Sequence, residues 1–455
     1  MLTQSTPVSI PGGFDTLNLI SPICRAVNEE KYTSPTPIQT QAIPHLLLGR
    51  DLLGCAQTGT GKTAAFALPI LQRLSEYKDR PRSKEVRSLI LTPTRELAMQ
   101  IEESFRVYGR YMKFNQAVVF GGVSIKNQIR ALSRGVDVLV ATPGRLLDLY
   151  NQGCLRMDKV DVFVLDEADQ MLDMGFLPDV KKIFNEIPKT SQTVLFSATL
   201  PTEIVRLTQN FLKDPIKISV APPSSTVEKV DQRIMFVDRD NKSALLESIL
   251  EDESVYRVLV FTRTKHGANR VAKNLSKKRI RTEAIHGNKS QAARMQALNK
   301  FRSGHVRVLV ATDVASRGLD VDGITHVINY ELPKEAESYV HRIGRTARAG
   351  ATGIALSFCD SEERGYLRGI ERTINQSVTV DKDHAYHSES IATKSGSRSG
   401  GNGGRRGAGA GAGGKRNGFS AKPGGRRSSQ RANPSAPGGF AKKKKSFHAK
   451  PHSAR

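Results

Sequence analysis

Eight consecutive residues, Ala56-Gln57-Thr58-Gly59-Thr60-Gly61-Lys62-Thr63, set two glycines, a lysine and three hydroxyls between a short apolar run and a helical pattern. Glycines let the backbone curl until its N–H groups face one anion. Lys62 then adds a point charge for β- and γ-phosphates, and the Thr63 hydroxyl can ligate Mg²⁺. Ala56 stands where the strict pattern has Gly. A Gly-rich turn without a ligand is the bland alternative, and Gly-Lys-Thr between a strand and a helix argues against it. Further on, the apolar run Val162-Phe163-Val164-Leu165 ends in Asp166-Glu167-Ala168-Asp169. Carboxylates at the C-terminal end of a buried strand are suited to holding a metal, here Asp166, and to orienting and deprotonating a water, here Glu167. Near the far end of the chain Arg345 and Arg348 lie three apart, and His341 lies four before Arg345. On a helix the three would share nearly one face.

Elements that position such groups are legible as β-branched runs separated by helical patterns. Asp51–Cys55, Ser88–Thr92, Asp137–Ala141, Val162–Leu165 and Thr193–Phe196 form one series. Arg257–Thr262, Val306–Thr312, His326–Asn329 and Gly353–Phe358 form another. Short apolar runs alternating with helices predict buried parallel strands in βαβ units. The fold class is therefore α/β, with two parallel-sheet domains in tandem: residues 1–213, a linker at 214–229 marked by Pro215, Pro222 and Pro223, and residues 230–379. Residues 380–455 are predicted to be a disordered basic tail, because a Gly/Ser/Arg-rich stretch ending in Lys442–Lys445 cannot bury enough apolar surface to offset chain entropy.

The net charge of +25 is uneven: 16 Lys and Arg against Glu389 alone put +15 in residues 388–455. Both parts are basic, which points to a polyanionic partner. The four cysteines (Cys24, Cys55, Cys154, Cys359) contain no CxxC pair, which argues against zinc and disulfides and fits a reducing cytoplasm, with small buried thiols as the plain reading. No apolar run is long enough for a membrane span, and the first twenty residues carry no secretory leader pattern.

Taken in order, the motifs resemble the DEAD-box ATP-dependent RNA helicase family over roughly residues 14–372. Asp166–Asp169 spells D-E-A-D. Phe14 and Tyr32-Thr33-Ser34-Pro35-Thr36-Pro37-Ile38-Gln39 lie upstream, followed by Pro93-Thr94-Arg95-Glu96-Leu97-Ala98, Gly121-Gly122, Thr142-Pro143-Gly144-Arg145 and Ser197-Ala198-Thr199. The second domain adds Leu259-Val260-Phe261-Thr262, Gln291-Ala292-Ala293-Arg294, the run Ala311-Thr312-Asp313 through Asp320, and His341-Arg342-Ile343-Gly344-Arg345-Thr346-Ala347-Arg348. Each piece is weak alone; the ordered set is specific. Lys31 stands where the family usually has Gly, and Ser316 where Ala is usual. The segments Val118–Ile125 and Asp173–Phe176, with the tail, resemble the bacterial RhlE-type subgroup.

The resemblance implies two RecA-like domains and assigns roles. Gln39 would read the adenine N6/N7 edge with Tyr32 or Phe14 near the base. Thr58, Gly59, Thr60, Gly61, Lys62 and Thr63 would hold phosphates, with Mg²⁺ on Thr63 and Asp166, and Asp313 would meet the ribose. Arg345 and Arg348 would act as arginine fingers from the opposite lobe, His341 linking the γ-phosphate side to the first domain. RNA would lie across both lobes on Thr94, Arg95, Gly122, Thr142, Gly144, Arg145, Gly287, Gln291, Arg294 and Thr312, mostly through its backbone and so with little sequence preference. Ser197 and Thr199 would couple the acids to closure. The implied activity is ATP-driven closure on RNA with local strand separation; an ATP-gated RNA clamp using the same residues is the alternative. A cytoplasmic monomer without membrane attachment is expected, with ribosomal precursors or RNA-decay assemblies as partners the family allows.

Overall fold

The computed structural model describes residues 13–57, 59–220, 230–316, 321, 323–347 and 352–393. Those residues build two seven-stranded, all-parallel sheets in tandem. The first holds β1 (Leu52–Cys55), β2 (Val86–Leu91), β3 (Gln116–Val119), β4 (Val136–Ala141), β5 (Val162–Leu165), β6 (Gln192–Ser197) and β7 (Ile216–Ser219), in the order β3-β4-β2-β5-β6-β1-β7. The second holds β8 (Val230–Phe236), β9 (Val258–Phe261), β10 (Thr282–Ile285), β11 (Val308–Ala311), β12 (His326–Asn329), β13 (Gly353–Cys359) and β14 (Thr379–Val380), in the order β10-β11-β9-β12-β13-β8-β14. Strand for strand the two orders coincide, so each lobe repeats one RecA-like winding.

The central strands are apolar because helices cover both faces. In β4 and β5 every residue is buried. Val138, Val140, Val162 and Val164 face a core with Phe66, Ile101 and Phe105, while Leu139, Phe163 and Leu165 face a second core with Leu146, Ile183 and Leu207. Period-2 alternation thus splits each strand between two cores, and the connecting turns fall at the strands' C-terminal ends, where open α/β sheets bind ligands.

Two sequence expectations are corrected. The interval read as linker contains β7, whose Ile216–Ser219 pairs in register with Leu52–Cys55; Pro215 enters this edge strand without breaking it, since an edge tolerates a missing N–H. Residues 221–229 of that interval lie outside the described residues. The tail read as starting at residue 380 is ordered through 393. The Ser388 amide donates to Phe236 O (3.0 Å), and Ile391, in the short helix Glu389–Thr393, is buried in the second lobe's core with Phe236 and Leu367. Residues 394–455 lie outside the described residues. Besides β7 and the two-residue β14, the strands missed from sequence are β3, β8 and β10, which carry Gln116, Asp231, Gln232, Arg233, Thr282 and Glu283, breaking the apolar pattern near the sheet edges. Of the cysteines only Cys359 is buried; the other three are half-buried.

Candidate nucleotide and RNA sites

The phosphate loop runs from β1 into the helix Lys62–Glu76. Gly61 takes φ +92°, and a Cβ there would meet Gln39 Nε2 at 2.4 Å, so the loop closes only with glycine at this position. Lys62 is buried and its Nζ donates to Ala56 O (2.8 Å), holding the ammonium inside the loop's curl. Thr63, one residue into the helix, is half-buried. Thr60 Oγ1 donates to Gln57 O (2.8 Å). Thr58 lies outside the described residues.

Gln39 is also buried, on the first turn of the helix Pro37–Leu47. Its Oε1 accepts from Thr36 N (2.9 Å) and its Nε2 donates to Gly61 O (3.0 Å), tying this helix to the phosphate loop. An amide has two N–H groups and two lone pairs, so one of each remains for an adenine edge. Phe14 is buried in the core, its ring centroid 6.4 Å from that of Tyr32, whereas Tyr32 is exposed and shares a hydroxyl contact with Tyr108 (3.3 Å). Of the two rings, Tyr32 is the one with an open face. Lys31, at the family's glycine position, keeps the left-handed turn at φ +61°.

At the end of β5, Asp166 and Glu167 are both buried. The Asp166 amide donates to Leu91 O (2.9 Å), and Asp166 Oδ1 accepts from Glu167 N (3.0 Å). Glu167 sits at φ +56°, a left-handed turn that a bulky residue adopts at a cost of roughly 1–3 kcal/mol where the surroundings hold it. Burial raises both carboxyls above their ordinary range; for Glu167, burial first and the Asp166 charge second push it up to about 7, while Lys62 and Arg345 pull it down. Two adjacent buried carboxyls near Lys62, the residue that precedes Thr63, are hard oxygen donors of the kind Mg²⁺ takes. Asp166 and Thr63 would hold it, and it would supply charge neutralisation on the phosphates.

Asp169 was not singled out from sequence. Its Oδ2 accepts from Ala198 N (3.1 Å), Thr199 N (2.9 Å) and Thr199 Oγ1 (3.0 Å). Ser197 Oγ accepts from Asp169 N (3.2 Å) and donates to Thr199 O (2.7 Å). The Ser-Ala-Thr segment is therefore wired to the fourth residue of D-E-A-D rather than to the acids flanking the phosphates.

In the second lobe the helix Ala336–Ile343 carries His341, half-buried, but ends before Arg345. Gly344 closes it, and Arg345 lies in the following turn, buried. The expectation of one helical face for His341, Arg345 and Arg348 is thus corrected: Gly344 ends the helix, and Arg348 lies outside the described residues. Asp313 is gripped by buried Arg342, whose Nε and Nη2 donate to the two carboxylate oxygens at 2.5 and 2.7 Å. Arg342 Nη1 also donates to Asn329 Oδ1 (3.0 Å) and Glu331 O (2.7 Å), which fixes the carboxylate's orientation.

A cavity of about 450 Å³ crosses both lobes and gathers Thr94, Arg95, Thr142, Gly144 and Arg145 with Gly287 and Arg294. Thr94 and Thr142 are the N-cap residues of the helices Arg95–Tyr108 and Pro143–Asn151, so both helix N-termini lie at this cavity. Gly122, at φ +80°, lies beside this cavity; a Cβ would meet Arg95 Nη1 at 2.1 Å. Gln291 and Thr312 are buried and do not line it. Sequence reasoning missed Glu96. Its buried carboxylate accepts from Gln291 Nε2 (2.9 Å) and pairs with Arg294 Nη2 (2.9 Å), bridging the lobes beneath the cavity. An acid among predicted RNA contacts gave no signal, because its partners Gln291 and Arg294 lie 195 residues away and further along the chain.

A P-loop in one RecA-like lobe, bridged to a second such lobe through Glu96, Gln291 and Arg294, marks an NTP-hydrolysing machine of the tandem-lobe class. Residues 36–207 match the DEAD/DEAH box helicase family and residues 241–350 the helicase conserved C-terminal domain. The DEAD-box ATP-dependent RNA helicase CshA of Bacillus subtilis is 42% identical over 370 residues, covering 81% of this chain and 74% of that protein. CshA of Bacillus cereus is 42% identical over 365 residues, covering 80% and 69%. Among solved structures, S. cerevisiae Dbp5 bound to RNA and ADP BeF3 superposes with a TM-score of 0.72 at 29% identity, covering 81% of this chain and 95% of that one. Mss116p bound to ssRNA and AMP-PNP gives 0.73 at 28%, covering 84% and 81%. The chain belongs to the DEAD-box ATP-dependent RNA helicase family. Among the described residues no helix is long and apolar enough to cross a membrane.

Proposed function

We propose that ATP, held between the lobes, closes them on RNA, and that hydrolysis reopens them, so that short duplexes separate locally. The observation that carries this reading is the bridge between the lobes, in which Glu96 of the first accepts from Gln291 Nε2 (2.9 Å) and pairs with Arg294 Nη2 (2.9 Å) of the second. Hydrolytic machinery divided between lobes turns over only when they meet. In that arrangement Lys62 binds the β- and γ-phosphates and Gln39 offers its remaining N–H and lone pair to the adenine. Tyr32 flanks the base, and Asp313, aimed by Arg342, meets the ribose. Glu167 takes the proton of the attacking water, Arg345 neutralises charge growing on the transferred phosphoryl, and His341 links that side to the first lobe. Mg²⁺ belongs on Asp166 and Thr63.

RNA lies in the cavity across both lobes, on the Thr94 and Thr142 helix ends, Arg95, Arg145 and Arg294. Gln291 acts there through Glu96, and Thr312 through the adjoining loop. The first lobe extends through β7 and the second through the helix Glu389–Thr393. The subgroup reading is RhlE-type, carried by Val118–Ile125 and Asp173–Phe176; the Bacillus relatives bear the name CshA. A cytoplasmic monomer acting on ribosomal precursors or RNA-decay assemblies is the working setting.

The test is turnover with RNA, with DNA of the same sequence and without nucleic acid, for the wild type and Arg345→Ala. RNA-specific stimulation, with a drop of about 10³-fold or more in the variant, is expected. Equal stimulation by DNA, or an active variant, overturns the reading. Strand separation by the wild type on a short duplex distinguishes a remodeller from a clamp.

A further inference from the structure

The base of the second lobe carries a basic pocket that neither ATP chemistry nor the central RNA cavity uses. Tyr256, Arg257, Arg279, Arg281 and Arg307 line a cavity of about 500 Å³, and the carboxylate in its wall is that of Glu253. It lies where the chain enters β9, β10 and β11, whereas the central cavity opens beyond the other end of β10, at Gly287 and Arg294. Extended chain from Arg281 to Gly287 separates the two by roughly 20 Å.

The repeat between lobes shows that the fold does not require this charge. Val308 pairs with Val258 and Thr282 as Val138 pairs with Ser88 and Gln116. The amides of Arg307 and Val308 donate to Arg281 O just as those of Asp137 and Val138 donate to Asn115 O. Arg307 therefore occupies the place of Asp137, Arg281 that of Asn115, and Arg257 that of Arg87. In the first lobe the Asp137 carboxylate accepts from Arg87 Nη1 (2.8 Å) and from Asn115 N (2.8 Å), which neutralises the corner. In the second lobe a guanidinium replaces that carboxylate. Arg307 is held on backbone carbonyls, its Nε on Val255 O (2.9 Å) and its Nη2 on Asp252 O. Arg279 and Arg281 are exposed and have no side-chain partner among the described residues, and Tyr256 beside them is 57% exposed.

We propose that this pocket is a second RNA contact, taking the phosphates of a strand that continues past the central cavity and stacking one of its bases on Tyr256. The inference rests on the reading of the central cavity as an RNA site. Arg307, fixed by carbonyls, and the exposed guanidiniums of Arg279 and Arg281 suit phosphate oxygens, and an open aromatic ring beside them suits a nucleotide, which brings phosphate and π-face together. An acidic protein segment would meet the arginines but give the ring no planar partner.

The experiment uses the full chain carrying Arg279→Ala with Arg281→Ala, and separately Tyr256→Ala. Binding is measured over a salt series for a short oligoribonucleotide that spans only the central cavity, and for one extended by roughly a dozen nucleotides. Short-strand affinity and short-strand-stimulated ATPase should be unchanged, which also reports an intact fold. Extended-strand affinity should fall roughly tenfold for the arginine pair, and the slope of log K against log salt should flatten by about 1.4, at about 0.7 per lost single-strand contact. Lysine at both positions should restore the slope. Tyr256→Ala should weaken the extended strand roughly tenfold with the slope unchanged. Identical extended-strand curves for wild type and both variants overturn the proposal, including the case in which the pocket captures an acidic protein instead. A wild type that neither binds nor responds to the short strand refutes the central-cavity reading, a separate failure.

Discussion

Glu167→Gln separates what the carboxylate does for chemistry from what its burial does to stability. Glu167 is raised to about 7 by burial and by Asp166, against an ordinary value of 4.5. Between those two pH values the folded state binds more protons than the unfolded state, so its stability falls as pH rises from 4.5 through 7. A shift of that size corresponds to about 3 kcal/mol lost by pH 8. The glutamine variant keeps the shape and removes the ionisation. It should match the wild type at pH 4.5 and exceed it by up to about 3 kcal/mol at pH 8, a rise of roughly 6–12 °C in the midpoint for a lobe of this size. Lys62, already occupied by Ala56 O, offsets only part of the charge. The same substitution removes the proposed base and should lower ATP turnover by about 10²- to 10⁴-fold while preserving ATP binding. Differential scanning calorimetry across pH 4.5–8.5 in the absence of nucleotide, with single-turnover ATPase beside it, reads both quantities. Parallel stability curves for the two proteins would refute the buried-carboxylate reasoning; near-normal turnover would refute the role as base.

Ser197→Ala with Thr199→Ala deletes two hydroxyls that hold Asp169 and the following turn; unwinding should fall at least tenfold more than ATPase, and equal losses in paired assays would contradict a coupling role. Lys31→Gly should raise stability by about 1 kcal/mol in urea titrations, because the left-handed turn at φ +61° strains any residue with a Cβ. Gly122→Ala should push the Arg95 guanidinium from its place beside the cavity between the lobes and, on the proposed reading, weaken RNA binding roughly tenfold. Its ATP affinity without RNA should stay unchanged by equilibrium dialysis.

Much of the molecule was legible in sequence where one βα unit carries both signal and consequence. Ala56–Thr63 closes on itself, since strand, glycines, lysine and helix are contiguous, and the apolar run before Asp166 places that acid at a strand end. The edge strands β3 and β10 and the penultimate strand β8 were not legible, because polar residues such as Gln116, Asp231 and Glu283 hide their period. The break after Ile343 was missed because a spacing of three fits a helix whether or not Gly344 ends it. β7 hid behind Pro215, and the packed segment through Thr393 hid behind the polar stretch that follows it.

By itself the sequence determined the reactive groups, the doubled α/β winding and the polyanion-seeking charge, all set by composition and by spacings along a few residues. Only the tertiary structure decided which distant groups share a hydrogen bond, an ion pair or a cavity. It put Glu96 on Gln291 and Arg294, Asp169 on Ser197 and Thr199, Arg342 on Asp313, and an arginine in the second lobe where the first has Asp137. Such pairings depend on distances through space between residues far apart in the chain. Electrostatic and hydrogen-bond energies are set by those distances and by burial, neither of which the order of residues states.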